Sequence, residues 1–471
     1  MAEENTAGAL GLCRVLICDF VGLKLDENGV PDCREVRKHI EDQGGVFHAG
    51  SAADAGELDL GRVHFFYLPH LSTEAELLEE TAGGAYDGVI AAATVIPRQS
   101  PFRLAGVRIG AGTGNMQSAS WGGGDGQGGN AVLMNTPGIN SRATAQMVMR
   151  ALLKVRPDLP LDALHKLVMD GAFDTGKDLW RFPTEKLEGK RLAVLGYGNI
   201  GREVARLAKA FRMRVRIFAR PRHREWIEAE GFEFCVTPQE AAAGADALSV
   251  HIGLGPFDTA KGAYANAGFV GEAVLTAAAD GAVLVNFDRG EVVETAALER
   301  AMASGKIAFA AIDADIFHAE GKKAGGPLAP YLPIAERYPG RVLLLPHAAA
   351  DTDHPSRVAG AKQAVDQILD VIRERKVSNL KGDLPAGFSL GRDRAINGIG
   401  AVTADDLSNR LAGENLSRLL SAADGMAGFL QERQQAGNGL PIDPAAARRF
   451  MADANRLAAL LDELGLHGPL N

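Results

Sequence analysis

The residues best placed to do chemistry begin with three glycines. Leu192-Ala193-Val194-Leu195-Gly196-Tyr197-Gly198-Asn199-Ile200-Gly201 is an apolar strand pattern running into G-x-G-x-x-G, and the stretch from Arg202 to Phe211 repeats apolar residues (Val204, Leu207, Ala208, Phe211) at helical spacing. Strand, glycine turn and helix in that order make a pyrophosphate cradle. Gly196 permits the tight turn, Gly198 lets backbone approach the anion, and Gly201 lets the helix pack closely on the strand. The N–H groups of Asn199, Ile200 and Gly201 at the helix start face the anion. Downstream, two more reactive side chains follow apolar strands. Arg289 comes after Ala282 to Asn286, and His347 ends Val342-Leu343-Leu344-Leu345-Pro346-His347, held by the proline. Between them lies Gly305 to Asp313, then Asp315-Ile316-Phe317-His318-Ala319-Glu320.

Strands spaced by helix-length intervals position these groups. Apolar runs at Arg14 to Cys18, Val63 to Leu68, Gly88 to Ala91, Val107 to Gly110 and Ala131 to Met134 predict βα units and a parallel sheet. Ser141 to Val155 reads as a helix stopped at Arg156-Pro157. A second set begins at Arg191 and continues with Val215 to Ala219, Ala247 to His251, Ala282 to Asn286 and Phe309 to Asp313, the alternation of a doubly wound nucleotide-binding domain. A helical pattern from Val358 to Ile372 then takes the chain back toward the first domain. Leu407, Leu411, Leu416, Leu419 and Leu420, and later Phe450, Met451, Leu457, Leu460, Leu461 and Leu464, mark two amphipathic helices whose stripes must bury against the parent domains or a partner subunit. The glycine-rich stretch Trp121 to Gly129 reads as a flexible surface insertion. The expected division is 1–140 for a first domain, 141–350 for the nucleotide domain, 351–389 for the return, and 390–471 for a helical extension.

Composition narrows the class. The 471 residues are 46% hydrophobic and 23% charged, enough for two or three packed domains, and the formal net charge is -9 with no basic block. Nucleic acid is therefore not an expected partner. Cys13, Cys18, Cys33 and Cys235 form no C-x-x-C pair, so reduced thiols are expected and no metal site. Met1-Ala2-Glu3-Glu4-Asn5 is acidic and no run approaches the roughly 18 apolar residues of a membrane span, so a cytoplasmic protein without membrane association is expected.

Val285-Asn286-Phe287-Asp288-Arg289-Gly290-Glu291-Val292-Val293, Gly305-Lys306-Ile307-Ala308-Phe309-Ala310-Ala311-Ile312-Asp313 and Leu345-Pro346-His347, following the glycine motif in this order, closely resemble the D-isomer-specific 2-hydroxyacid dehydrogenase family over roughly residues 60 to 380. Asn135 to Ser141 and Trp180 to Lys190 resemble its hinge helix and the lead-in to its nucleotide strand. The resemblance implies a Rossmann-type domain plus a flavodoxin-like substrate domain, here with a C-terminal helical extension. It implies interconversion of a 2-oxo acid and a D-2-hydroxy acid with a nicotinamide cofactor. A guanidinium grips a carboxylate and polarises the reacting oxygen through paired hydrogen bonds, the role of Arg289. Imidazole exchanges the hydroxyl proton near neutral pH, the role of His347.

An acidic partner favours the imidazolium, and Asp315 to Glu320 reproduces the family's D-V-F-x-x-E spacing, which makes Glu320 the expected partner. The upstream match aligns Asp313 instead with the family's aspartate, and the resemblance gives Asp313 the nicotinamide carboxamide. Gly112-Thr113-Gly114 resembles the loop that holds the substrate carboxylate, and Thr94 to Pro97 lies where the family places another pocket loop. His251 is expected to be structural or at the edge of the cofactor.

An acidic residue about 20 positions beyond the motif usually bonds the ribose of NAD. The second strand here runs instead into Ala219-Arg220-Pro221-Arg222, so Arg220 and Arg222 are expected to pair with a 2′-phosphate, favouring NADP with NAD possible. The long Gly321 to Arg341 insertion is expected to reshape the pocket. A homodimer or higher homo-oligomer is expected. A dinucleotide-sensing interaction protein, akin to corepressor relatives of the family, is the competing reading, suggested by the C-terminal helices.

Overall fold

A computed structural model describes residues 11–20, 22–71, 73–122, 129–155, 159–260, 262–317, 324–391, 404–436 and 441–466. They divide into two compact units. One comprises the described residues up to 219 and from 235 to 391; the other comprises 220–234 and the described residues from 404 onward.

The first unit is built on two open sheets. In the first sheet, β1 (Cys13–Ile17), β2 (Val46–Ala49), β3 (Val63–Tyr67), β4 (Gly88–Ala91), β5 (Ala105–Arg108) and β6 (Val132–Asn135) run parallel. In the second, β7 (Arg191–Leu195), β8 (Arg214–Phe218), β9 (Ala247–Val250), β10 (Ala282–Asn286), β11 (Ile307–Asp313) and β12 (Val342–Leu345) also run parallel. Near-continuous apolar strands suit sheets covered on both faces. Leu192 to Leu195 and Leu284 to Val285 are fully buried. Each such leucine or valine side chain contributes roughly 1.5 to 3 kcal/mol of transfer free energy.

Strand order decides where ligands can enter. The second sheet runs β12-β11-β10-β9-β7-β8, so the chain leaves β7 toward β8 on one side and returns to β9 on the other. Diverging connections open a crevice beyond the carboxyl end of β7, where the glycine motif lies. The first sheet, in the order β6-β5-β4-β1-β3-β2, has its own switch between β1 and β4. After helix His354–Glu374, β13 (Leu380–Lys381) joins the free edge of β6 antiparallel, with Leu380 opposite Met134. The chain therefore returns to the first sheet after completing the second. Helix Ser141–Val155 packs on helix Asn199–Ala210, which ties the two sheets' layers together.

Two expectations need correction. Trp121 and the residues next to it are core rather than a surface insertion. Trp121 is 1% exposed, stacks on Phe102 and donates its indole N–H to the Met116 carbonyl at 3.1 Å. Gly106 is small because that indole lies on it. A methyl there would meet the Trp121 ring at 2.3 Å. Residues 123–128 of the same stretch lie outside the described residues. The C-terminal pattern also differs from two helices. It forms Ala404–Arg410, then Glu414–Ala436 after a break at Gly413 (φ +58°), then Pro444–Glu463. The last two pack on each other through Phe429 and Phe450, whose ring centroids are 4.7 Å apart, and through Arg418 with Glu463 at 2.8 Å. Leu419 and Leu460 are buried, whereas Leu420 and Met451 stay exposed, so only part of the apolar stripe finds cover.

Among the described residues no helix is long and apolar enough to cross a membrane.

Candidate active site

The glycine turn has the steric logic of its motif. Gly196 adopts φ +105°, and a side chain there would fall 2.2 Å from the His251 carbonyl. A methyl on Gly201 would lie 2.0 Å from the Gly196 carbonyl, so the helix can approach the strand this closely only without one. Gly198 is the N-cap of helix Asn199–Ala210, and its first helical bond is Arg202 N–H to the Gly198 carbonyl at 3.0 Å. The N–H groups of Asn199, Ile200 and Gly201 precede that bond and point out of the helix end. No acidic side chain occupies the first turn. An added Cβ on Gly198 would meet nothing within 4 Å. This cradle fits a dinucleotide pyrophosphate.

His251 closes the turn from the β9 side. Burial holds its imidazole down to about 3, which keeps it neutral. Its Nε2 lies 2.7 Å from the Ser249 hydroxyl, and its buried Nδ1 has no hydrogen-bond partner among the described residues.

Arg289 is presented by a loop braced from three directions. The Asn286 amide donates to the Arg289 carbonyl at 2.8 Å and accepts from the Asp288 N–H at 3.3 Å. Tyr331, fully buried, donates its hydroxyl to the Gly290 carbonyl at 2.5 Å, and a methyl on Gly290 would strike the Pro327 carbonyl at 2.6 Å. Both contacts come from the segment between Asp313 and His347, so its described part buttresses the arginine loop. Arg289 is one-third exposed, and its Nη1 lies 3.6 Å from Asp315.

His347 sits on the neighbouring ledge. Pro346 bends the chain so that the His347 N–H reaches the Leu345 carbonyl at 3.0 Å, and His347 itself takes a left-handed conformation at φ 55°. That backbone costs of order 1 to 3 kcal/mol in a residue with a side chain and has to be held by its surroundings. Asp313 supplies the hold. Its carboxylate is fully buried and accepts the Ala348 N–H at 2.7 Å and the Ala349 N–H at 3.1 Å, with His347 Nδ1 3.9 Å away.

The first sheet brings its loops to the same place. A methyl on Gly112 would lie 2.9 Å from the Arg289 guanidinium, so the Gly112 to Gly114 loop and Arg289 converge. Thr94 is joined to that loop by Asn115, whose amide donates to the Thr94 carbonyl at 2.8 Å. Buried Asp19 anchors the other side, accepting the N–H groups of Ala92, Ala93 and Thr94 at 2.9 to 3.1 Å. Asn135 donates to the Ala111 carbonyl at 2.6 Å and Thr136 accepts the Gly110 N–H at 2.8 Å, which fixes the loop's other end.

Of the remaining sequence candidates, Glu320 lies outside the described residues. Arg220 and Arg222 are exposed, with Arg222 Nε 3.3 Å from His223 Nε2, and they belong to the other compact unit. Sequence reasoning passed over Asp288. This carboxyl is pushed up to about 6 by burial, which outweighs the lowering fields of Arg289 and His347. Its position immediately before the arginine was the available signal. Asp19 carried none, because only the fold sets it beside Thr94.

The family model for the D-isomer specific 2-hydroxyacid dehydrogenase NAD binding domain matches residues 160–349. A glyoxylate reductase of Aeropyrum pernix is 31% identical over 255 residues, covering 52% of this chain and 68% of that protein. A D-3-phosphoglycerate dehydrogenase of Methanocaldococcus jannaschii is 28% identical over 249 residues, covering 53% of this chain and 43% of that protein. The solved structure of an NAD+-bound 3-phosphoglycerate dehydrogenase from Entamoeba histolytica covers 79% of this chain and 99% of its own, with a TM-score of 0.53 at 17% identity, a likeness of fold.

Gly112 generates a test. Gly112→Ala adds a methyl 2.9 Å from the guanidinium, which must then shift. If a substrate carboxylate sits between the two groups, the expected result is a KM for the acid raised about tenfold, one charge-assisted bond of roughly 1.5 kcal/mol or more being lost. Cofactor affinity, measured by fluorescence titration, stays unchanged. An unaltered KM would separate the loop from the arginine's ligand.

Proposed function

The chain belongs to the D-isomer-specific 2-hydroxyacid dehydrogenase family and is a nicotinamide-dependent oxidoreductase interconverting 2-oxo and 2-hydroxy acids; from this premise we propose how its residues divide the work. The observation that carries the assignment is the meeting of the Arg289 guanidinium with the Gly112 loop, two strands along the same sheet edge from the ledge that bears His347.

Gly196, Gly198, Asn199, Ile200 and Gly201 hold the pyrophosphate through backbone N–H groups. When bound, the nicotinamide supplies or takes the hydride at the substrate's C2. Arg289 binds the substrate carboxylate and polarises the C2 oxygen, while N–H groups of Gly112, Thr113 and Gly114, with Thr94 at the rim, seat the carboxylate's other side. His347 gives its proton to that oxygen during reduction, which yields the D-hydroxy acid, and accepts it during oxidation, which returns the 2-oxo acid. Glu320 supports the imidazolium. Asp313, which accepts the Ala348 and Ala349 N–H groups, also serves the nicotinamide carboxamide.

The substrate class is a short 2-oxo acid such as glyoxylate, in keeping with the name of the 31% identical glyoxylate reductase of Aeropyrum pernix. NADP is the preferred cofactor, because Ala219-Arg220-Pro221-Arg222 offers two cations where an NAD enzyme places a carboxylate. No disulfide joins Cys13, Cys18, Cys33 and Cys235, which suits a cytoplasmic protein. Leu161, Val168, Met169, Leu179 and Trp180 are all more than half exposed and close in sequence, an apolar face suited to a homodimer. A monomer mass in light scattering would remove that reading.

Purified protein should oxidise NADPH on addition of glyoxylate, with hydroxypyruvate, pyruvate and bulkier 2-oxo acids defining the pocket. His347→Ala should lower turnover by roughly 100-fold or more with cofactor affinity retained, since only proton transfer is removed. Normal turnover in that variant would exclude His347 from the reaction. The double change Arg220→Ala with Arg222→Ala should weaken NADPH by an order of magnitude or more and leave NADH nearly unaffected, two charge-assisted bonds of roughly 1.5 to 3 kcal/mol each being lost. Parallel losses for both cofactors would show that these arginines do not read the 2′-phosphate.

A further inference from the structure

Arg289 meets two different groups with its two terminal nitrogens. Nη2 lies where a methyl on Gly112 would come within 2.9 Å, so it faces the first sheet's glycine loop. Nη1 lies 3.6 Å from the Asp315 carboxylate. At that separation the pair is an electrostatic contact rather than a hydrogen bond, and the guanidinium keeps its N–H donors for a ligand. Both side chains are withdrawn from bulk water, 33% exposed for Arg289 and 38% for Asp315, which weakens screening by salt.

Backbone holds Asp315 in place. Its carbonyl accepts the Leu328 N–H at 3.0 Å, and just beyond it Phe317 and Gly325 exchange N–H bonds at 2.9 and 2.8 Å. A methyl on Gly326, at φ +95°, would lie 2.9 Å from the same Asp315 carbonyl. Pro327 and Tyr331, which follow, close over Gly290 beside the arginine. One short segment therefore fixes both members of the ion pair.

We propose that Asp315 is a specificity-determining residue that limits the site to 2-oxo acids carrying a single negative charge and disfavours those with a second, such as a phosphate ester or a distal carboxylate. The inference rests on Arg289 as the group that binds the substrate carboxylate. Asp315 offsets the guanidinium before any substrate arrives. With the imidazolium of His347 on the same sheet edge, one substrate carboxylate completes a neutral set, and a second anionic group adds a charge without a partner. Asp288 and Asp313, which share this edge, are acidic and offer that group nothing. Arg108, the cation at the end of β5, is tied back, its Nε donating to the Ala92 carbonyl at 3.0 Å.

The size of the effect follows from distance. In a short acid the second group is only a few bonds from the carboxylate that Arg289 grips, so it stays within about a Debye length of Asp315, roughly 10 Å at 0.1 M salt. Two unit charges about 8 Å apart at an effective dielectric of about 20, screened by that salt, repel by an amount worth about fivefold in binding. A phosphate, with nearly two charges, loses more.

The test compares matched acids that differ in charge. Wild type should show a higher kcat/KM for hydroxypyruvate than for its 3-phosphate ester. In Asp315→Asn that ratio should fall about fivefold or more, and Asp315→Glu should keep the wild-type ratio. A second measurement needs no turnover. Oxamate and oxalate, of one shape but one and two charges, are titrated by fluorescence into the NADPH complex, and the ratio of the oxalate to the oxamate dissociation constant should fall by a similar factor in Asp315→Asn. The difference between wild type and variant should shrink at high salt. A carboxylate that only supports the loop would move both members of each pair together. Unmoved ratios in Asp315→Asn, or a wild type that prefers the phosphate ester, would overturn the inference and leave the dehydrogenase reading standing. No reduction of any 2-oxo acid together with no binding of oxamate would instead fail that reading, and the inference with it.

Discussion

The carboxylate of Asp313 is sealed from solvent at the end of β11 and is met by two backbone N–H groups of the turn that follows His347. An ionised carboxylate without partners in such a place would cost several kcal/mol. Hydrogen bonds to a charged group return roughly 1.5 to 3 kcal/mol each, so the burial leans on Ala348 and Ala349 staying where they are. That condition fixes the ledge and, with it, the left-handed backbone of His347. An imidazole on an unrestrained loop would sample many positions relative to the arginine. Here the strain at one residue is held by the buried charge of another, which is the preorganisation a proton transfer requires.

The arginine is held by different means. Asn286 at the end of β10 bonds both sides of the turn, and Tyr331 and Pro327 close over Gly290. These braces come from the stretch that separates the acidic segment from the histidine. Its described part functions as a wall of the arginine loop. The glycines at 112 and 290 are the places where backbone and side chain approach too closely for a methyl group, and they fall on the two sides of Arg289.

Much of this was legible in the sequence because it depends on local pattern. The strand at Ala282 to Asn286 and the helix at Ser141 to Val155 have the bounds their residues suggested, and Leu192 to Gly201 declared strand, turn and helix at once. What escaped depends on tertiary packing. Glycine-rich composition around Trp121 suggested a surface loop, but the indole occupies the space that Gly106 leaves on the far side of β5, a pairing of residues fifteen positions apart that composition does not express. The anchoring of Thr94 by Asp19 joins chain segments 75 residues apart. The C-terminal leucines declared helices correctly, yet their periodicity did not reveal that Gly413 would break the first of them or that two helices would cover each other.

As proposed, Arg289 and His347 hold one orientation of a 2-oxo acid, so that the hydride reaches a single face of C2. The most direct measurement is the configuration of the product. Pyruvate reduced by the purified protein with NADPH, followed by chiral chromatography of the lactate formed, should give the D-enantiomer alone. L-lactate or a racemic product would contradict the fixed geometry of the two side chains on which the whole reading stands.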